Sequence, residues 1–208
     1  MPKAFIRRYT QLPSLIYMLT ERKLTLLDPG SWDDKNDSYY LELYREKKKI
    51  KTVLALCFAM DAETYHHWSV FAGGSAGVCI QFDHKKLVAA LRRRVGVRTG
   101  EVKYLLLTQQ RKNPLKVSEL PFSKRYAYQH ENEFRVLYES EGEERAALDI
   151  PIPLSSIARI TLSPWLAVAL SKHVKDTLHS IPGCSNLSIA RSTLISNQEW
   201  KNLGERAK

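Results

Sequence analysis

Short apolar runs separated by polar turns divide the chain into strand and helix segments. Two runs rich in apolar residues, 52–59 and 77–82, predict buried strands. Shorter runs predict further strands at 4–9, 24–27, 101–107, 132–138, 150–153, 157–162 and 187–190. Apolar residues at helical spacing predict helices at 13–22, 39–48, 62–71, 84–94 and 164–180. Turn formers predict a loop at 31–37, and segment 111–120 is predicted to be irregular.

The order of these elements predicts an α+β fold. Many short strands are interrupted by a few helices, without the regular alternation of a doubly wound sheet. No repeat or low-complexity linker divides the sequence, and 208 residues suit one domain. We therefore expect a single domain over residues 1–208, with helices flanking split mixed or antiparallel sheets.

The segment 128–140, with the sequence YQHENEFRVLYES, carries charges at every second position. In a strand, Glu131, Glu133 and Arg135 would share one face, because strand side chains alternate between faces. One interpretation is an exposed strand with a weak salt bridge. The other is a site in which a carboxylate holds a sugar hydroxyl and stabilises positive charge on a sugar ring.

Two further pieces each allow a structural and a functional interpretation. Trp68 and Phe71, three apart in a predicted helix, are either core residues or a wall for a flat ring such as nicotinamide. Arg7 and Arg8 at the end of the first strand are either solvent-exposed or able to bind a phosphate. The loop 31–37 lacks the ligand spacing of a calcium loop, so we expect no metal site there.

Composition adds a strong positive charge. The net charge of +10 and the pI near 9.5 would attract phosphates, as in nucleic acids or dinucleotides. Three cysteines without a CxxC pair favour a reducing compartment, hence the cytoplasm. The first residues lack the apolar core of a signal peptide. No run of about 18 apolar residues occurs, so we expect no membrane partner.

The order of these pieces resembles a bacterial family named domain of unknown function 2971. Two departures occur: Ser38 stands where that family usually has Pro, and Phe71 stands where it usually has Tyr. The matching segments, in chain order, are Arg8-Tyr9, Lys35-Asn36-Asp37, 67–72 (HWSVFA), 77–82 (GVCIQF) and 131–135 (ENEFR).

The layout of that family in turn resembles the ADP-ribosyltransferase superfamily. This resemblance implies an enzyme that binds NAD and transfers ADP-ribose to a nucleic-acid or protein acceptor, as a toxin or antiphage effector. It implies that Glu133 accepts from the ribose 2′-hydroxyl and that Glu131 steers the attacking group. It also implies a set of NAD-binding residues: Arg8, Tyr9, Trp68, Ser69, Phe71 and Arg135.

Two alternatives stay open at this stage. One is a catalytically inactive binding module of the same fold. The other is a basic nucleic-acid-binding module or nuclease without NAD chemistry. A nuclease would need clustered acidic or histidine ligands for Mg²⁺, whereas the acids here are scattered apart from Asp33-Asp34 and the pair Glu131 and Glu133.

Overall fold

The computed structural model describes residues 4–207, which form strands β1–β11 and helices α1–α7. The strands are β1 (Phe5–Gln11), β2 (Lys23–Leu27), β3 (Thr52–Ala59), β4 (Gly77–Asp83), β5 (Val97–Glu101), β6 (Lys103–Leu105), β7 (Ser123–Arg125), β8 (Glu133–Ser140), β9 (Ala147–Pro151), β10 (Ile157–Leu162) and β11 (Ile189–Arg191). The helices are α1 (Leu12–Glu21), α2 (Lys35–Lys48), α3 (Tyr65–Phe71), α4 (His84–Leu91), α5 (Leu107–Lys112), α6 (Val168–Ser180) and α7 (Gln198–Gly204). Short 3-10 turns cover Pro29–Ser31, Val117–Phe122, Tyr126–Glu131 and Leu154–Ser156.

Nine strands form one mixed sheet, and β6 and β7 form a separate parallel pair. The main path runs β11-β10-β4-β1-β3-β2-β9, with β8 paired to β3 and β5 paired to β8. Within the main sheet β10 and β11 are parallel, whereas β4, β1, β3 and β8 pair antiparallel. Helices flank this sheet, which confirms the predicted α+β class. The expectation of one domain over residues 1–208 stays a prediction.

Strand β3 is the point where the sheet splits. One edge of β3 pairs with β8 over its whole length, from Thr52 to Ala59. The other edge pairs with two strands: β2 at Ala55 and β1 at Ala59. Because β1 and β2 diverge between these points, the Cys57 carbonyl lies in a fork between them. Arg8 reaches into this fork and donates from Nη1 to that carbonyl at 3.4 Å.

The core covers both faces of the sheet. On one face, α1 buries Leu15 and Leu19, four apart, against side chains such as Phe58 and Val136. On the other face, α2 buries Leu41 and Tyr44 against β3 and β8, and α3 buries Trp68 against β1 and β4. Fully burying each large apolar side chain stabilises the fold by roughly 1.5–3 kcal/mol. The two helices on this second face leave a gap between them, over the centre of the sheet.

Helix α2 begins earlier than the sequence pattern predicts. The segment 31–37 was expected to be a loop, but Lys35, Asn36 and Asp37 form the first helical turn. The cause is Asp34, whose side chain accepts from the backbone N–H of Asn36 and Asp37 as an N-cap. This early start is what points Asp37 into the protein, where it is 2 % exposed.

Other boundaries differ for local reasons. The predicted strand 101–107 is broken at Val102, whose N–H donates to the Glu133 carbonyl, and its last residue begins α5. The predicted helix 62–71 begins at Tyr65, where Thr64 caps it, and the predicted helix 164–180 begins at Val168. Helix α7 was not predicted. In the described part of the chain, none of the helices combines the length and apolar character required to cross a bilayer.

Candidate active site

A cavity of about 550 Å³ lies in the gap between α2 and α3. Its walls come from β1, the start of α2, the end of β3, the end of α3 and the segment that precedes β8. Ligand pockets usually measure about 300–1,000 Å³. The cavity is therefore large enough for a small molecule or a dinucleotide.

The register of three strands places charged side chains on the cavity floor. Arg7 on β1 is opposite Ala59 on β3, and Ala59 is opposite Glu133 on β8. Directly opposite residues point to the same face, and strands lie about 4.8 Å apart, so Arg7 and Glu133 stand on the order of 10 Å apart. The small side chain of Ala59 between them leaves room for a ligand.

Arg135 lies beneath the acidic side of the cavity and binds two of its carboxylates. Its fully buried guanidinium donates to both oxygens of Asp37, at 2.9 and 2.6 Å, and to both oxygens of Glu133, at 2.6 and 3.0 Å. A fifth bond goes from Nη1 to the Pro121 carbonyl at 2.9 Å. These bonds use all five guanidinium N–H groups, and the Trp32 ring lies 5.2 Å from Cζ.

The contact with Arg135 determines the ionisation state of Glu133. Burial alone would raise the pKa of Glu133, but the charge and hydrogen bonds of Arg135, with help from Lys124, lower the pKa below its usual range. Glu133 is therefore a carboxylate at neutral pH. Its oxygens still have lone pairs for a further donor, because each can accept about two hydrogen bonds.

Lys124 is a second buried cation at this site, and it was not predicted from the sequence. Its Nζ lies 2.6 Å from Glu131 Oε2, 3.5 Å from Asp37 Oδ2, and 3.8 Å from both Glu133 Oε2 and Asp34 Oδ2. Burial lowers its pKa, but the surrounding carboxylates outweigh burial and raise it above the usual value. Lys124 stays charged and gathers the four acids around the inner end of the cavity.

Glu131 lines the cavity from a 3-10 turn and not from the strand on which it was predicted to lie. It ends a 3-10 turn, and Asn132 follows in the left-handed region with φ 40°, so Glu131 does not lie on the strand that carries Glu133. The predicted shared strand face is therefore wrong for Glu131, although Lys124 still brings both carboxylates together. Burial raises the pKa of Glu131, and Lys124 only partly offsets this. The two acids thus have pKa values shifted in opposite directions, as in acid–base pairs.

His67 fixes the backbone of Glu131. Its Nε2 donates to the Glu131 carbonyl at 3.0 Å, so Nδ1 accepts from the Thr64 hydroxyl at 2.6 Å. Burial lowers the pKa of His67, which favours this neutral form. The local sequence around His67 does not indicate this positioning contact.

The other end of the cavity is basic and aromatic. Arg7 donates to the Asp61 carbonyl at 2.6 Å and to Gln81 Oε1 at 3.2 Å, which turns its guanidinium toward β4 and away from the acids. Burial lowers the pKa of Arg8. The Phe71 ring lines the same cavity and is 41 % exposed. A ligand in the cavity would therefore meet arginines and an aromatic ring on the β1 side, and carboxylates gathered around Lys124 on the other side.

Tyr9 also lines the cavity. Its ring stacks on His67 with centroids 5.4 Å apart and meets the edge of Trp68 at 5.3 Å. Burial raises the pKa of the Tyr9 hydroxyl, and the Cys79 thiol on the neighbouring strand, a weak hydrogen-bond partner, raises this pKa further. Within residues 4–207 the hydroxyl has no stronger hydrogen-bond partner.

The structure brings five of the predicted site residues to this cavity: Arg8, Tyr9, Phe71, Glu131 and Glu133. Three others lie elsewhere. Trp68 is fully buried beneath Tyr9 and donates to Glu63 at 2.6 Å, Ser69 is on the exposed side of α3, and Arg135 is buried under the acids.

Sequence reasoning missed Lys124 and Tyr128 and gave no role to Asp34 and Asp37. Both were part of the turn-rich segment; Asp34 was also noted in the acidic pair Asp33-Asp34, and Asp37 in the Lys35-Asn36-Asp37 match to the resembling family. Their N-cap spacing was the signal that could have placed them, because it starts a helix and directs Asp37 inward. Among the described residues, no group of three or more His, Cys, Asp or Glu side chains has the arrangement of a metal site.

No family model matches this sequence, and a search of curated proteins finds no match. The resemblance to domain of unknown function 2971 therefore stays a prediction. Among solved structures, Thermus sp. 2.9 DarT in complex with ADP-ribosylated ssDNA is similar over 91 % of this chain and 94 % of that chain, with a TM-score of 0.47 and 10 % identity. Thermus sp. 2.9 DarT in complex with NAD⁺ is similar over 92 % and 96 %, with a TM-score of 0.46 and 9 % identity. At these TM-scores the likeness alone assigns neither a ligand nor an activity to this chain.

Proposed function

We propose that the protein is an ADP-ribosyltransferase-like enzyme that binds NAD in this cavity and transfers ADP-ribose to an acceptor. The observation that carries the proposal is the convergence of Arg8, Phe71 and Glu133, distant in sequence, on one cavity. Two arginines and an aromatic ring lie on the β1 side, and the carboxylates, gathered around Lys124, lie on the other side. NAD has the complementary distribution, with two phosphates and a positively charged nicotinamide ring.

The basic end fits a pyrophosphate. Arginine binds phosphate oxygens through two parallel N–H groups, and Arg8 uses one described hydrogen bond, to Cys57, of its five possible donors. Phe71 presents its ring to the cavity, where a flat heterocycle could stack. Tyr9 lines the same cavity and would contact the bound molecule there.

Glu133 is suited to the chemical step. Bound NAD would supply a glycosidic bond whose cleavage releases nicotinamide. Arg135 keeps Glu133 ionised and fixed, so that its carboxylate can accept from a ribose hydroxyl and stabilise the positive charge that develops on the sugar. Such stabilisation needs a charge that is already in place, and the two hydrogen bonds from Arg135 provide that.

Glu131 and Lys124 act beside Glu133. The Glu131 carboxylate, held by Lys124 and by the His67 contact to its backbone, would orient the attacking group. Trp68 and Arg135 then serve NAD indirectly: Trp68 supports the ring of Tyr9, and Arg135 holds Glu133.

The test compares wild type with Glu133→Gln, using Glu139→Gln as the control. Glu139 lies on the same strand and pairs with Arg98 at 2.6 Å, away from the cavity. We expect NAD to raise the Tm of wild type and of Glu139→Gln, and both to release nicotinamide. Release by Glu133→Gln should fall about 100- to 1,000-fold, the usual effect of losing one such electrostatic contact. A wild-type protein that neither gains Tm with NAD nor releases nicotinamide overturns the proposal.

A cytoplasmic location and a role as a toxin or antiphage effector stay predictions from composition and family resemblance. Expression in bacteria tests the toxin role. Wild type should arrest growth and Glu133→Gln should not.

A further inference from the structure

Asp34 lines the cavity, and one of its carboxylate oxygens is buried and accepts no hydrogen bond from the described residues. Its Oδ1 accepts from the backbone N–H of Asn36 at 3.1 Å and of Asp37 at 3.4 Å, so the side chain is fixed as the N-cap of α2. Its Oδ2 is buried and has no hydrogen-bond partner within residues 4–207, and the whole side chain is only 10 % exposed. Lys124 Nζ is 3.8 Å away, within ionic reach but too far for a hydrogen bond.

Tyr9 lines the same cavity, but its hydroxyl has a weak partner in the Cys79 thiol. Asp34 Oδ2 has no hydrogen-bond partner in the part of the chain that the structure describes. Buried polar groups are normally paired, so this exception at the cavity indicates a contact to a bound molecule.

The charge around Asp34 indicates which part of a ligand it would meet. Four carboxylates surround two cations, since Asp34, Asp37, Glu131 and Glu133 gather around Lys124 and Arg135. A phosphate or carboxylate would be repelled by this surplus of negative charge. A group that brings a polarised N–H or O–H would be attracted, because an ionised carboxylate only accepts hydrogen bonds.

We propose that Asp34 Oδ2 binds the N–H or O–H of the acceptor's attacking atom and takes its proton. This inference rests on the proposed ADP-ribosyl transfer. The acceptor is then a neutral hydroxyl or N–H nucleophile, not an anionic oxygen. Its proton passes to Asp34, and its electron pair forms the new bond to the ribose carbon. The electron pair of the broken bond leaves with nicotinamide, and no atom changes oxidation state overall.

Asp34 is better placed for this role than Glu131. Glu131 Oε2 already receives a hydrogen bond from Lys124 at 2.6 Å. Asp34 Oδ2 is rigidly held and receives none. A fixed carboxylate within hydrogen-bond reach of the attacking atom is what general base catalysis requires.

The test uses two variants that keep the helix cap. Asp34→Asn and Asp34→Ser both retain an N-cap oxygen, so both should fold, while each removes the free carboxylate oxygen. Methanol serves as the neutral O–H acceptor and sodium azide as an anionic nucleophile that has no proton to lose. NAD-induced change in Tm measures binding separately from activity, and Glu139→Gln again controls for loss of a carboxylate.

We expect both variants to keep the NAD-induced rise in Tm. Transfer to methanol should fall about 100-fold or more, the usual contribution of a general base. Azide should restore product formation in the variants and give little product with wild type, where Asp34 repels it.

Three results overturn the assignment of Asp34. The first is transfer to methanol at the wild-type rate in both Asp34 variants. The second is loss of the NAD-induced rise in Tm in these variants. The third is a loss of transfer to methanol in the variants without product formation when azide is added. Each of these leaves the proposed function standing if wild type still binds NAD and releases nicotinamide. If wild type does neither, the proposed function itself has failed.

Discussion

Arg135 and Glu133, two residues apart on β8, are joined by two hydrogen bonds, from Nε to Oε1 at 2.6 Å and from Nη2 to Oε2 at 3.0 Å. The same guanidinium holds Asp37 from α2 in the same manner. One buried cation thus fixes an acid of the cavity and attaches a helix to the sheet. Changes at Arg135 should affect stability and catalysis together.

Replacing Arg135 with Met should strongly destabilise the protein. The change leaves the carboxylates of Asp37 and Glu133 buried with Lys124 as their remaining cation. Removing one partner of a buried ion pair costs about 3–5 kcal/mol of unfolding free energy, measurable by urea denaturation. Arg98→Met is the matched control, because Arg98 pairs with Glu139 at 2.6 Å but its side chain is 42 % exposed. Its cost should stay within about 1 kcal/mol, and equal costs at both positions would contradict the prediction.

Glu133 should make stability depend on acid pH. Its pKa is lower in the folded protein than in the unfolded chain, so folding favours the ionised form. This contribution is complete above the unfolded value of about 4.3 and is lost as pH falls through the lower folded pKa. The difference in unfolding free energy between wild type and Glu133→Gln should therefore shrink as the solution is acidified below that value. A difference that grows on acidification would refute the sign of the shift.

His67 should position the backbone of Glu131, and two substitutions of His67 test this role. His67→Phe leaves the Glu131 carbonyl and the Thr64 hydroxyl without their partner, at a cost of about 1–3 kcal/mol in unfolding free energy. His67→Gln can restore a donor to the carbonyl. We expect His67→Phe to lower kcat for nicotinamide release with little change in KM for NAD, and His67→Gln to recover part of it. The idea fails if both variants behave alike.

Phe71→Ala should weaken NAD binding without harming the fold. The ring is half-exposed at the cavity wall, so little core packing is lost. Stacking of a base on an aromatic side chain contributes about 1–3 kcal/mol, so Kd measured by calorimetry should rise about 10-fold or more. Tyr65→Ala is the control, because Tyr65 lies on the same helix, is 61 % exposed and does not line the cavity. An unchanged Kd in Phe71→Ala would exclude the ring from the NAD site.

Local patterns were sufficient to predict the framework. The run 52–59 was predicted as a buried strand and is β3 with the same bounds, because continuous apolar sequence suits a strand covered on both faces. Arg8 and Glu133 were matched by their position in a motif order, and both line one cavity. Glu133 is placed there by the register of β8 on β3, whereas Arg8 reaches it through the fork at the Cys57 carbonyl. Trp68 was predicted to face a ligand, but helical spacing alone does not distinguish a cavity wall from the core beneath it.

The sequence pattern could not predict contacts between residues that are distant in the chain. Lys124 is an ordinary lysine in sequence, and only the fold surrounds it with carboxylates from α2 and the segment before β8. Asp37 is 98 positions from Arg135, so nothing local links the two. Their pairing depends on where α2 packs, which follows from the Asp34 cap and the apolar side of the helix.

The fork between β1 and β2 at β3 determines where a bound ligand would change the local stability of the protein. Arg7, Arg8 and Phe71 belong to elements on one side of β3. The acids and Lys124 belong to elements on the other side, and β3 itself carries no charged residue. A bound molecule that contacts both sides would therefore connect them across the split edge of β3 and restrain their separation. Ligand binding should slow amide hydrogen exchange in β1 and around the Cys57 fork far more than in α6, which lies away from the cavity.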